Sequence, residues 1–177
     1  MALSSTACGA APERMAPAGA LLIAFGNADR QDDGAGWAIL SRVAQRLGLP
    51  FPREPEDEQP EPGMPLGLLY TLQLAPELAE LAARYPRVLF IDAHTGALPA
   101  DLNWQALQPV FQRSPLTHHM TAESVVALAH SAYGASPQAA LVSVRGQAFG
   151  FERGLTPFTS ALADQAVERI LEWLGDE

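Results

Sequence analysis

Three places in this 177-residue chain put metal-ligating or acid–base residues where apolar runs give way to turns. Asp32 and Asp33 follow the apolar run 21–25, Asp92 ends the run 87–91, and His118 and His119 precede a helical pattern that begins at Thr121. Two carboxylates and one imidazole can hold a divalent transition metal and leave positions open for water or substrate. The same set can do general acid–base work without metal, with Asp32 or Asp33 as the base. Spacing does not choose between these, because the three segments meet only through the fold. Asp92 is the most telling of them. A carboxylate at the end of a buried strand is costly unless it is paired, hydrogen-bonded or on a metal. It is therefore either a capped structural acid or a ligand at the edge of a sheet. His94 reads either as a support for Asp92 or as a plain turn residue. His130, late in a helix, reads as a surface partner for the C-terminal helix dipole.

The elements that must carry these residues follow from the hydrophobic pattern. Residues 21–25 suit a strand buried on both faces, and Gly26 and Asn27 end it with residues that tolerate a sharp turn. Gly34 and Gly36 leave room for another backbone or a ligand. From Trp37 the period is helical, with Trp37, Leu40, Val43, Ala44 and Leu47 on one face and Gly48 and Pro50 as the stop. Residues 50–65, dense in Pro and acid with almost nothing to bury, read as a solvated loop. A strand over 67–73 and a helix over 75–85 follow, the helix with Pro76 in its first turn and Leu78, Leu81 and Ala82 facing inward. A strand over 87–93 comes next. Residues 101–107 read as a weaker strand near an edge and 108–116 as irregular. Residues 117–132 form a loop entering a helix, with Thr121 as N-cap and Gly134 as the stop. A strand over 140–145 and an amphipathic helix over 157–174 complete the chain. This alternation predicts an α/β domain over 20–177: three layers, with helices on both faces of a mainly parallel twisted sheet of about five strands. Open sheets of this kind keep their sites at the carboxyl ends of the strands.

Composition removes several functions. A net charge of −9 argues against nucleic acid or an anionic membrane as partner. The single cysteine, Cys8, excludes an internal disulfide framework and a cysteine-based zinc or iron–sulfur centre, and fits a reducing, cytoplasmic compartment. Residues 1–19 are rich in Ala, Ser, Gly and Pro and lack both the basic start and the apolar run of a signal peptide. They read as a disordered extension. The apolar run 18–25 is too short to span a membrane. The first turn has the outline of a phosphate-binding loop, but it is acidic and lacks both G-x-G-x-x-G and a P-loop lysine, so no organic cofactor is expected. No G-x-S-x-G nucleophile elbow is present.

Taken together, these segments resemble the nickel–iron hydrogenase maturation endopeptidases. That family opens with a strand and G-N-x-x-x-x-D-[DE]-G-x-G, matched by Gly26, Asn27, Asp32, Asp33, Gly34 and Gly36. Its apolar strand ending in D-A is matched by Asp92 and Ala93. Its S-H-x-[LM]-[ST] segment, ahead of a helix ending A-L-A, is matched by residues 117–121 and 127–129, with Thr117 in place of the serine. Its G-L-[ST]-P before the last helix is matched by residues 154–157. The segment QLAPEL at 73–78 resembles the branch serving NAD(P)-linked, bidirectional-type hydrogenases.

The resemblance implies an endopeptidase that removes a C-terminal peptide from a hydrogenase large-subunit precursor once nickel is inserted. It maps the nickel-binding residues onto Asp33, Asp92 and His118, with Asp32 and His119 as alternates. Asp33 is then a shorter variant of a position that is often Glu. The nickel is carried by the substrate, and the protease needs no resident metal. The rivals are a nickel-sensing chaperone that has the site but does not cut, and a metal-independent hydrolase.

Overall fold

The computed structural model describes residues 19–111 and 120–176. The expected extension over 1–19 thus lies, apart from Gly19, outside the described residues, as do Cys8, His118 and His119. Five strands, β1 (Ala20–Phe25), β2 (Leu66–Thr71), β3 (Arg87–His94), β4 (Leu102–Ala106) and β5 (Gln138–Arg145), form one sheet in the order β2-β1-β3-β5-β4. All neighbours are parallel except β4, the edge strand, which runs antiparallel to β5. A 3-10 turn (Gln31–Gly34) leads into α1 (Ala35–Leu47), followed by α2 (Leu78–Ala82), α3 (Ala122–Tyr133) and α4 (Pro157–Gly175). The mainly parallel α/β sheet expected from the sequence is the one observed.

Side-chain alternation divides the core between two faces. Leu22, Leu89, Ile91 and Val142 pack against Ile39, Leu40 and Val43 of α1 and Ala166 and Ile170 of α4. Leu21, Ile23, Val88 and Phe90 pack against Ala79 and Ala82 of α2 and Val125 and Ala129 of α3. Residues of β1 and β3 are therefore buried on both sides, which is why both strands read as unbroken apolar runs. Each fully buried side chain of this size stabilises the fold by about 1.5–3 kcal/mol. Thr121 caps α3 by accepting from the Ser124 N–H, and Gly134 ends it in the left-handed conformation.

Three local expectations change. The helix over 75–85 contracts to Leu78–Ala82, because the bonds at both ends run to the third residue back: Leu78 N–H to Ala75 O, Ala79 N–H to Pro76 O, Tyr85 N–H to Ala82 O. Leu47, placed on the inner face of α1, is 41% exposed, since that face has turned to solvent at the last turn. The acidic loop 50–65 has no helix or strand, as expected, but it is tied down. Phe51 packs on Trp37 with ring centres 4.9 Å apart, and the Gln59 side chain bonds both the N–H and the C=O of Tyr70 on the β2 edge.

The chain moves from β1 out to β2 and then crosses back to β3, so the strand order reverses between β1 and β3. Ligand crevices in open sheets lie at this switch, beyond the carboxyl ends of the strands. Here α1 closes directly on those ends. A Cβ added at Gly36 would stand 2.6 Å from Phe25 O and 3.1 Å from Ile91 O, both backbone atoms that cannot turn aside. We predict that Gly36→Ala destabilises the chain by about 2–4 kcal/mol in urea titration, whereas Gly48→Ala, with nothing within 4 Å of its Cβ, costs only its left-handed backbone strain, about 1 kcal/mol.

Candidate functional site

The two adjacent aspartates of the first turn have different surroundings. Asp32 is fully buried. Its Oδ2 accepts from the N–H groups of Gln147 (2.8 Å) and Ala148 (3.0 Å) and from the Thr156 hydroxyl (2.9 Å), while Oδ1 accepts from the Thr156 N–H (2.7 Å). Burial pushes this carboxyl up, but those four bonds outweigh it and hold it below its ordinary value. It is thus an ionised clamp joining the first turn to the segment after β5 and to the N-cap of α4. Backbone bonds reinforce the join: Asp32 N–H to Ala148 O at 3.0 Å and Gln31 N–H to Glu152 O at 2.7 Å. Thr156 belongs to the G-L-T-P motif, so the sequence flagged the segment without revealing its use.

Asp33 is half-buried, and its Oδ2 accepts from the Asn27 N–H at 3.0 Å. The turn that holds it is tight. Gly26, at φ +123°, lies where a Cβ would meet Asp33 O at 2.2 Å, and a Cβ on Gly34 would meet Ala28 Cα at 2.8 Å. Tyr70, in the ordinary apolar pattern of β2, braces the same turn. Its hydroxyl donates to Gly26 O at 2.7 Å and accepts from the Ala28 N–H at 3.2 Å. Burial of Tyr70, against the pull of the Ala28 bond and helped by the charges of Asp33, Asp29 and Glu56, raises its phenol above the ordinary value, so it stays a neutral donor. Arg153 binds Asp29, Glu54 and Glu56, fastening the acidic loop to the rim of the turn.

Asp92 stands at the carboxyl end of β3. Burial pushes its carboxyl up to about 7, the Ala93 N–H lowers it, and the charge of Asp33 raises it further. The fold therefore brings Asp33 and Asp92, 59 positions apart, to the same β1/β3 switch, where the charge of Asp33 acts on Asp92. An acid raised in this way is relieved by a proton or by a cation.

Solved structures with this architecture were found. HybD, a hydrogenase maturating endopeptidase from E. coli, aligns with a TM-score of 0.66 at 20% identity, covering 88% of this chain and 91% of that one. HycI from Thermococcus kodakarensis, a [NiFe] hydrogenase maturation protease, aligns with a TM-score of 0.63 at 15% identity over 90% and 94%. A hydrogenase 2 maturation peptidase from a Thaumarchaeota archaeon gives 0.58 at 20% identity over 90% and 99%. This chain has the hydrogenase maturation protease fold. No family model and no curated protein matches the sequence.

Within that maturation protease fold, the expected ligand set divides as follows. Asp33 lies in the turn after β1 and Asp92 near the end of β3, the neighbouring strand, and Asp32 is engaged as a clamp. His118 and its alternate His119 lie outside the described residues, although Met120, immediately after them, packs against the α2/α3 core. Among the described residues no group of three His, Cys, Asp or Glu side chains gathers as a metal site. Also among them, no helix is long and apolar enough to cross a membrane. His130 is exposed in the last turn of α3, its Nδ1 3.1 Å from Ser136 Oγ, as a surface role requires.

The two aspartates give opposite pH signatures. Asp32, depressed in the fold, contributes stability that is present above about 3.8 and lost as pH falls through its folded pKa. Asp32→Asn is expected to cost about 2–4 kcal/mol at pH 7, with the deficit shrinking toward pH 3 in denaturant titrations. Asp92, raised in the fold, destabilises as it ionises: the protonated form's advantage is intact below about 3.8 and lost as pH rises through about 7. Asp92→Asn is expected to stabilise the metal-free chain at pH 8 by about 1–3 kcal/mol, with no gain at pH 4.

Proposed function

We propose that this chain is an endopeptidase that removes the C-terminal peptide of a nickel–iron hydrogenase large-subunit precursor after nickel insertion. The observation that carries the reading is the placement of Asp33 and Asp92 at the exits of the adjacent strands β1 and β3, in a fold shared with proteins named as maturation proteases of hydrogenases. The motif order from Gly26 to Pro157 supports it further.

In this reading Asp33, Asp92 and His118, with His119 as alternate, take up the nickel that the substrate carries. Oxygen and imidazole donors suit a divalent nickel that still has coordination positions free. Recognition of the metal is then proof of insertion, because the precursor without nickel offers nothing to relieve the two carboxylates. Asp92 holds a proton below about 7, so metal recognition tightens as pH rises through that value and releases the proton. The metal orients the substrate and polarises the reacting group or its attacking water. Residues 26–34, braced by Tyr70 and clamped through Asp32, keep Asp33 fixed while the peptide bond is hydrolysed. The protein works in the cytoplasm, on a protein partner, with no resident metal and no organic cofactor.

The test is incubation of nickel-loaded large-subunit precursor with the purified chain, followed by intact mass. Loss of a C-terminal peptide is expected with nickel-loaded precursor, at least 100-fold slower with nickel-free precursor, and absent for Asp92→Ala. Binding without cleavage turns the reading to a nickel-sensing chaperone. Equal cleavage with and without nickel turns it to a metal-independent hydrolase.

A further inference from the structure

Two buried polar atoms lack a partner among the described residues, Ser143 Oγ and His94 Nε2. Both flank Asp92. Ser143 is only 2% exposed and is the direct Cα partner of Asp92 in the β3/β5 register. The two side chains share a sheet face, because Phe90 and Val88 on β3 and Leu141 and Ala139 on β5, two and four residues before them, point into the α2/α3 core. Neighbouring strands lie ~4.8 Å apart, so the Ser143 hydroxyl and the Asp92 carboxyl stand on adjacent positions of that face. His94 follows Asp92 on the same face. Its Nδ1 accepts from the Gly96 N–H at 3.2 Å, which places the ring proton on Nε2 and makes that atom a donor rather than a metal ligand. The donor already acting on Asp92 is the Ala93 N–H.

We propose that Ser143 is a positioning residue for Asp92: its hydroxyl donates to the Asp92 carboxylate when that group takes a divalent metal, fixing which oxygen faces the metal. The proposal rests on the reading of Asp92 as a ligand. Buried polar groups are almost always hydrogen-bonded, and a hydroxyl left without a partner beside a carboxylate short of donors is placed for a bond made on ligation. Carboxylate ligands are themselves held by hydrogen bonds, and removing such a support typically weakens metal binding 10–100-fold. His94 Nε2–H, one pleat further along β3, is the second donor available to the same group or to its water.

The experiment is a calorimetric titration of the full chain with cadmium ion alone, alongside thermal unfolding without metal. Ser143→Ala is expected to weaken cadmium binding about 10–100-fold while leaving Tm unchanged or higher, since the lost hydroxyl has no partner in the metal-free fold. Ser143→Thr, which keeps the hydroxyl, should bind within about threefold of the unaltered chain. In an Asp92→Ala background Ser143→Ala should weaken binding no further.

An unfolded or strongly destabilised Ser143→Ala would mean that the hydroxyl is a structural group, and the proposal falls. It falls equally if cadmium affinity is unchanged, if the two substitutions add, or if the unaltered chain does not take up cadmium. Ser143-dependent cadmium binding by a chain that leaves nickel-loaded precursor uncut upholds the proposal and overturns the endopeptidase reading.

Discussion

The buried Asp32 carboxylate is the constraint on which the rest of the site depends. One side chain receives four hydrogen bonds from a segment more than 110 positions away and so locks the turn after β1 to the start of α4. A buried ionised group is tolerable only when its lone pairs are met in this way. Meeting them imposes geometry on everything nearby. Gly146, for instance, must lie where a Cβ would approach Asp32 Cβ to 3.0 Å. The clamp also fixes where the following residue points, and that residue is Asp33.

The electrostatics of this arrangement rest on a contrast between two acids. Asp32 is surrounded by donors and held ionised, while Asp92 has few donors, sits in a poorly solvated place and shares it with Asp33. The first is a structural anion. The second is an acid that burial holds protonated up to about pH 7. The stability the fold forgoes at Asp92 is small beside the buried apolar area of β1 and β3, so the fold tolerates it. Similar reasoning covers the acidic loop 50–65. Arg153, Gln59 and Phe51 anchor it beside the first turn.

The sequence by itself determined the layers and most of the elements. Apolar runs at 21–25 and 87–91, helical periodicity from Trp37 and from Thr121, and glycine stops at 48 and 134 each express local physics that the packed structure keeps. It also placed acids at two strand exits, which in an open sheet is the edge where ligands bind. What remained undecided lay in pairs of identical residues. Asp32 and Asp33 are chemically the same side chain on adjacent positions, and nothing local says which will face the N–H groups of the segment after β5.

Tertiary structure alone made that decision, because the donors come from residues 147, 148 and 156 and exist only once β5 and α4 are docked. It likewise shortened the helix expected over 75–85, where the backbone bonds at both ends run to the third residue back. It gave Tyr70 and Ser143 their placements, invisible in sequence because each sits in an ordinary strand pattern. Periodicity reports which face a residue is on. Which partner waits on that face is set by strand order, and here the order β2-β1-β3-β5-β4 puts Ser143 beside Asp92 and Asp33 within reach of its charge.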